Sequence, residues 1–208
     1  MEEIKITDWI SAIASSITTI SLVFIILQVY LQKKQTAQDH ERSRREKAVD
    51  LLQCWFKELD QKSSLARKFA ETLSEEVLRS VVNNEEFYVD DNNSNKETIS
   101  AIFELEIDKV NEKIENGHIL IERKYSLQLR WQLITYLNML ESIVSAYVYN
   151  VADRELIESE FKYLFAHNNG ALRKFRSIVH GSYPCIDIFE QKMIEKNKNK
   201  LNEKFKLG

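Results

Sequence analysis

Residues 9–31 read WISAIASSITTISLVFIILQVYL, a run of 23 residues without one charged side chain. A helix rises about 1.5 Å per residue, so this run measures roughly 34 Å, which exceeds the bilayer's hydrocarbon thickness of about 30 Å. A cleaved signal peptide starts with basic residues, whereas this chain starts with Glu2, Glu3 and Asp8. The run therefore predicts a retained transmembrane helix near the N-terminus.

Basic residues are concentrated on one side of this predicted span. Only Lys5 precedes it, and the residues that follow it are Lys33, Lys34, Arg42, Arg44, Arg45 and Lys47. Basic groups that flank a span stay on the cytoplasmic side, where they can also contact the membrane surface. We therefore expect a single-pass protein of the inner (plasma) membrane, with a short external N-terminus at 1–8 and a cytoplasmic C-terminal part.

The composition beyond the span indicates a mainly α protein. The whole chain has one Pro and four Gly, and neither interrupts residues 32–73. We predict that the transmembrane helix continues into a juxtamembrane helix at 32–73, followed by a cytoplasmic helical bundle at 74–190 and a basic tail at 191–208. The tail is either a solvated helix end or a contact for nucleic acid or anionic headgroups.

The middle of the chain predicts both irregular and regular structure. Residues 83–96, NNEEFYVDDNNSNK, are polar, acidic and rich in Asn, which predicts a surface loop. A helical pattern at 97–115 ends at Asn116 and Gly117, a pair that suits a left-handed helix cap. The stretch 118–122, HILIE, fits either a short strand or the start of the next helix. Asp153 predicts the N-cap of a later helix.

Residues 126–150 are also strongly apolar, but their pattern favours a soluble core helix over a second span. Charged groups in lipid cost a few kcal/mol each, and this segment contains Arg130 and Glu141. Its apolar residues follow one face of a helix: Leu133, Leu137, Leu140 and Val144. We predict that Arg130, Asn138 and Glu141 form a buried polar network that fixes the packing of the bundle.

The first half of the span is rich in small and hydroxyl side chains. They are Ser11, Ala12, Ala14, Ser15, Ser16, Thr18 and Thr19. Small residues four apart let two helices approach closely in a membrane. One interpretation is self-association of several spans into a bundle that leaks ions. The other is a lone anchor whose hydroxyls bond to the carbonyls of their own helix.

Two short patterns resemble a known family. The first is Arg44, Arg45, Ala48, Leu51 and Trp55, and the second is Leu137, Asn138, Glu141 and Ile143, followed by Ala146, Tyr147, Asp153 and Glu155. The chain resembles a poorly characterised family of bacterial membrane-anchored proteins with a cytoplasmic helical domain. Some proteins of this layout accompany anti-phage systems, including retrons, where a membrane protein is the toxic effector beside a reverse transcriptase and its RNA–DNA product. The retron effectors that the chain resembles have two spans, whereas this sequence predicts one.

The sequence offers little for catalysis. It has no phosphate-binding Gly loop, no His-Glu-x-x-His and no Gly-x-Ser-x-Gly elbow, and Cys54 and Cys185 lack the spacing of metal ligands. We therefore expect no enzymatic activity, no metal or cofactor and no small-molecule substrate, and we interpret the chain as a defence effector that acts through the membrane. The alternatives are a non-toxic membrane-tethered scaffold or sensor, and a tethered helical ribonuclease that uses Arg173 and His180.

Overall fold

The structure is a computed structural model that describes the backbone of residues 2–166, 169–179 and 181–206, and the side chains of 6–166, 169–179 and 181–198. The chain divides into two compact units, Met1–Arg45 and Glu46–Gly208. The folded domain therefore starts well before the predicted residue 74. The reason is that residues 46–73 supply buried core side chains, which are Ala48, Trp55, Ala66, Phe69, Ala70 and Leu73.

The first helix, α1, spans Glu2–Glu58 and contains the whole predicted span. Its continuation beyond the span is confirmed, but it ends before the predicted residue 73. The next helix, α2, spans Gln61–Thr72, and its N-cap is Asp60, which accepts the backbone N–H of Ser63 at 2.6 Å. An Asp side chain that binds a free N–H starts a new helix. Asp60 therefore separates two helices without any Gly or Pro.

Short helices and a small sheet follow. They are α3 (Glu75–Asn83), β1 (Phe87–Asp90), α4 (Asn93–Phe103), α5 (Ile107–Asn111), β2 (Ile114–Glu115) and β3 (His118–Ile121). β3 is the central strand and pairs antiparallel with both β1 and β2. Of the two interpretations of residues 118–122, the strand is therefore confirmed.

Two predictions for this region are wrong. The predicted loop at 83–96 contains β1, where buried Phe87 and Val89 alternate with exposed Tyr88, because one face of the strand covers the core. The predicted helix at 97–115 is broken after α4 by Glu104, which adopts a left-handed conformation with φ 53°. Asn116 and Gly117 also have positive φ, and they form the hairpin turn between β2 and β3 instead of a helix cap.

The second half of the domain is built on α6 (Arg123–Val148). The predicted core helix is confirmed, because Leu129, Leu133, Leu137 and Leu140 are completely buried. Asp153 caps α7 (Arg154–Phe161), as predicted. Two 3₁₀ turns, Lys162–Phe165 and Gly170–Leu172, then lead to α8 (Arg173–Ile178) and α9 (Pro184–Lys206). The predicted tail at 191–208 thus begins inside α9.

Aromatic side chains join these elements into one core. Trp55 of α1 packs edge-on against Tyr136 of α6 and Phe161 of α7, with ring centroids 5.3 and 5.1 Å apart. Gly170 allows the two 3₁₀ turns to approach each other, because a Cβ at this position would lie 2.0 Å from the carbonyl oxygen of Leu164. Residues 46–58 of α1 and the later helices therefore share a single hydrophobic core.

Candidate functional site

The first candidate site is the uncovered apolar surface of α1. Every side chain of residues 6–31 is exposed, and the large apolar ones range from 52% exposed at Leu27 to 71% at Trp9. Soluble monomers rarely expose apolar patches larger than a few hundred Å². Within the part of the chain that the structure describes, α1 is the one helix long and apolar enough to cross a membrane.

The first half of this helix has two different sides. At 3.6 residues per turn, the predicted association residues fall on one side, over about half of the circumference. They are Ser11, Ala12, Ala14, Ser15, Ser16, Thr18 and Thr19. The opposite side carries only bulky residues, which are Trp9, Ile10, Ile13, Ile17, Ile20 and Phe24. The continuous helix therefore sorts its side chains into a small face and a bulky face.

Hydroxyl groups on the small face are bonded within the helix. Ser16 Oγ donates to the carbonyl of Ala12 at 2.8 Å, Thr18 Oγ1 to that of Ala14 at 2.8 Å, and Thr19 Oγ1 to that of Ser15 at 2.9 Å. A hydroxyl bonded in this way enters lipid at a much lower cost than an unbonded one. The small face is thus compatible with lipid and leaves little volume between its backbone and an approaching helix.

The predicted topology residues follow the apolar run on the same helix. Lys33, Lys34, Arg42 and Arg45 are exposed, and Arg44 is half-buried. Arg45 pairs with Glu41 one turn before it, at 2.7 Å. An exposed pair of this kind contributes little free energy, so it does not prevent the arginine from contacting headgroups.

The predicted buried network of Arg130, Asn138 and Glu141 is wrong. Asn138 is exposed on the outer side of α6. Arg130 and Glu141 lie about three turns apart, and they bind different elements. Arg130 Nη1 donates to Asn84 Oδ1 at 3.2 Å, while Glu141 accepts the backbone N–H groups of Cys185 and Ile186, each at 2.9 Å.

Glu141 therefore caps α9 from another helix, a role that the sequence did not reveal. The residue before Pro184 is Tyr183, whose side chain has no oxygen close to the backbone. The first N–H groups of a helix need an acceptor, and a carboxylate also interacts favourably with the positive end of the helix dipole. A helix start without a local capping residue was the only signal that a distant carboxylate was needed.

Of the two residues of the ribonuclease hypothesis, the structure describes Arg173. Arg173 donates from Nε and Nη2 to Glu190 Oε1, at 2.9 and 2.7 Å. His180 lies outside the described residues. The guanidinium of Arg173 is thus already bound by a carboxylate that is 9% exposed, an arrangement typical of a structural ion pair.

Arg176 is the centre of this ion-pair cluster. It is 6% exposed, and it donates to Glu190 Oε2 at 2.7 Å, to the carbonyl of Ala171 at 2.9 Å and to Asp187. Burial raises the pKa of Asp187, although the adjacent Arg176 guanidinium opposes this rise. The cluster joins α8 to α9 and holds the carbonyl of Ala171, a residue with positive φ.

The chain matches no family model, no curated protein and no solved structure. Among the described residues, no group of His, Cys, Asp and Glu side chains has the arrangement of a metal site. Within the described part of the chain, the small face of α1 is the surface with the clearest physical meaning.

Proposed function

We propose that this protein is a membrane-anchored effector (toxin) of a bacterial anti-phage defence system. In this proposal, a partner complex restrains the cytoplasmic domain until infection. The family resemblance suggests a retron-like partner, namely a reverse transcriptase with its RNA–DNA product. Release allows the spans to associate, and the assembled bundle permeabilises the inner membrane and stops growth before the phage can multiply.

The observation that carries the proposal is the division of α1 into a small face and a bulky face. Helices in lipid gain nothing from excluding water, so they associate through close van der Waals packing between small residues. The small face allows this approach, while Trp9, Ile13, Ile17 and Phe24 on the bulky face suit contact with acyl chains. A simple anchor needs apolar length but no such division.

The direction of insertion is part of the proposal. Lys33, Lys34 and Arg42, together with Arg44 and Arg45, follow the span, and basic groups are retained in the cytoplasm. This topology puts the N-terminus outside and the folded domain beside a cytoplasmic partner. The same basic groups then face the anionic inner leaflet.

One observation favours a second candidate, a non-toxic membrane-tethered scaffold or sensor. The hydroxyls of Ser16, Thr18 and Thr19 are satisfied within their own helix, as they would be in an anchor that never meets another span. A scaffold predicts no toxicity at any level of production.

The deciding experiment measures membrane potential with a voltage-sensitive dye in bacteria that overproduce the protein beyond the supply of any partner. Four chains are compared: the full chain, residues 32–208, the double variant Ser11→Leu with Ser15→Leu, and the control Ile13→Leu with Ile17→Leu. Both double variants keep the apolar length, but only the first one fills the small face. Membrane extraction with alkaline carbonate checks that each full-length variant is inserted.

We expect depolarisation and growth arrest with the full chain and with the Ile control, and neither with the truncated chain or the Ser variant. Depolarisation by the Ser variant would show that the small face is not the interface. The ribonuclease would be favoured by growth arrest without depolarisation. In that case the arrest should persist with residues 32–208 and disappear in the additional variant His180→Ala. Normal growth and a normal potential with all four chains would favour the scaffold.

A further inference from the structure

The small sheet has one edge that is open to a further strand. β3 lies between β1 and β2, so within the described residues the outer edge of β1 has no neighbouring strand. A groove of about 470 Å³ is lined by Tyr88 and Asp90 of β1 and by the connection between α2 and α3. The apolar part of its lining is Leu73, Val77 and Val89. The edge strand thus borders a groove that the fold leaves open.

The hydrogen-bonding pattern shows which backbone groups β1 presents at this edge. Leu120 of β3 lies opposite Tyr88, and it donates its backbone N–H to the carbonyl of Lys113 on the β2 side, at 2.9 Å. In an antiparallel ladder, opposite residues alternate between hydrogen-bonded and non-hydrogen-bonded pairs. Tyr88 and Leu120 are therefore a non-hydrogen-bonded pair, and the N–H and C=O of Tyr88 point away from β3.

Asp90 has the same orientation, but only its N–H is free. Its C=O accepts the backbone N–H of Asn92 at 3.0 Å and Nδ2 of Asn95 at 2.9 Å. The N–H and C=O of Tyr88 and the N–H of Asp90 have no hydrogen-bond partner in the part of the chain that the structure describes. The edge thus offers two donors and one acceptor, and Asn95 ends the ladder at Asp90.

The strand at this edge is acidic. Residues 85–91 read EEFYVDD, with four carboxylates and no basic residue. Asp91 is paired with Lys96 at 2.8 Å. The side chain of Asp90 lies 3.4 Å from Nδ1 of His118 and is still 84% exposed. Negative charge therefore lies directly beside the free backbone groups.

Basic side chains around the groove do not cancel this charge. Residues 68–96, which include both walls, contain seven acidic and three basic residues. Two of the basic residues, Arg79 and Lys96, are paired with carboxylates, and Lys68 is exposed in α2. Lys174 of α8 donates to the carbonyl of Leu73 at 3.2 Å. The walls of the groove therefore keep an excess of negative charge.

This charge selects the kind of strand that can be added. A second copy of β1 would place acidic residues opposite each other, and like charges on opposed strands are destabilising. The basic residues at the end of this chain belong to the helix α9. The occupant that fits both the backbone groups and the charge is an extended, basic segment of another protein.

We propose that β1 binds an extended, basic segment of a partner protein, which is added to the sheet as an antiparallel fourth strand. Main-chain hydrogen bonds to Tyr88 and Asp90 hold the segment, and the side chains of the segment determine its selection. The inference does not depend on the proposed function, because β1 belongs to the folded domain and not to the span.

The antiparallel register defines the ligand. Tyr88 exchanges both of its hydrogen bonds with one residue of the segment. The residue two places before that one lies opposite Asp90, where Lys or Arg forms an ion pair. The residue between them shares the face of Val89, where an apolar side chain is favoured. The peptide Arg-Val-Thr-Val-Lys meets these conditions, with Thr opposite Tyr88 and Lys opposite Glu86.

Nuclear magnetic resonance tests the pairing with the isotope-labelled full chain in micelles of a non-ionic detergent. The chain is titrated with the capped peptide Arg-Val-Thr-Val-Lys, and the backbone amide shifts of Tyr88 and Asp90 are followed. One control peptide, Glu-Val-Thr-Val-Glu, reverses the charge. The other is N-methylated at Thr, which removes one backbone donor and keeps every side chain and charge.

Two variants test the edge from the protein side. Tyr88→Pro removes an N–H that the fold itself does not use, at an edge position where proline is tolerated. Tyr88→Thr keeps this N–H and is the matched control, because both variants lose the hydrogen bond from the Tyr88 hydroxyl to Glu115. Thermal unfolding checks that both are folded, and the N-methylated peptide gives the same test on the original chain.

We expect the Arg peptide to bind with a Kd below about 1 mM. Both control peptides are expected to bind at least about tenfold more weakly, because one loses a backbone hydrogen bond and the other opposes like charges. We expect Tyr88→Pro to lose at least about tenfold in affinity and Tyr88→Thr less than about threefold.

Three results would overturn the proposal. One is the absence of a saturable shift at Tyr88 and Asp90 at about 5 mM peptide. Another is equal binding of the N-methylated peptide, which indicates attraction by charge without strand pairing. The third is equal affinity of Tyr88→Pro and Tyr88→Thr for the Arg peptide, which shows that the peptide does not bind the edge of β1.

Discussion

Two strongly apolar helical segments of this chain, residues 9–31 and residues 126–150, have opposite surroundings. In the first, every side chain is exposed, whereas in the second Leu133, Leu137 and Val144 are completely buried. Hydropathy already distinguishes them, because among the described residues only α1, with a mean hydropathy of 2.3 in its most apolar 18 residues, is long and apolar enough to cross a membrane. The placement of polar groups differs as well: the first segment has no charge at all, while the second carries Glu141 where the start of α9 can bind it.

The largest expected effect comes from placing the same charge in both helices. Leu137→Arg buries an unpaired charge in the core, at a cost above about 5 kcal/mol, which exceeds or matches the whole stability of many domains. Ile17→Arg costs about 3 kcal/mol of insertion free energy, and it leaves the core unchanged. We expect the first variant to lose its near-ultraviolet circular dichroism and the second to lose membrane insertion. Unfolding of the domain by Ile17→Arg would contradict the separation of the two helices.

The same comparison shows which features can be predicted from sequence. The buried face of α6, the small face of α1 and the cap at Asp153 all depend on residues within a few positions of one another, so local spacing reveals them. β1 is only four residues long, and it pairs with β3, where Ile121 lies opposite Phe87. The polar composition around Phe87 indicates a loop. The strand forms because of its pairing with β3, which the local sequence does not reveal.

The residues of the candidate site also divide into those that local spacing predicts and those that depend on distant contacts. Residues 11–19 of the span could be assigned to one face from the period of the helix alone. The apolar segment around Asn138 predicts a buried side chain, but its position on the helix places Asn138 on the exposed side. The bonds of Glu141 to Cys185 and of Arg176 to Glu190 join separate helices. Such contacts are set by packing, and no spacing in the sequence indicates them.

The second prediction concerns neighbouring polar residues of α6. Glu141→Ala leaves the backbone N–H groups of Cys185 and Ile186 without an acceptor and is expected to lower the free energy of unfolding by about 2–3 kcal/mol. Asn138→Ala, one turn away and exposed, is expected to change it by less than about 0.5 kcal/mol. Urea unfolding in detergent measures both. Equal losses of unfolding free energy in the two variants would support the predicted polar network of Arg130, Asn138 and Glu141.

The smallest expected effect concerns Asp60, which lies between the end of α1 and the start of α2. Asp60→Ala removes an N-cap and is expected to lower the free energy of unfolding at pH 7 by about 1 kcal/mol. Asp60→Asn keeps an oxygen that can accept the N–H of Ser63 and serves as the control. We expect it to lose much less, because Asn is also a good N-cap.

The pH dependence distinguishes the charge of Asp60 from its shape. The hydrogen bonds from Ser63 favour the ionised carboxylate and hold the pKa of Asp60 below its ordinary value of 3.8. A pKa that is lower in the folded state means that the stabilisation by the charge is complete above pH 3.8 and is lost as the pH falls through the folded value. The difference between the original chain and Asp60→Asn is therefore expected to shrink below about pH 4. A difference that stays constant from pH 7 to pH 3 would show that Asp60 acts only through its geometry.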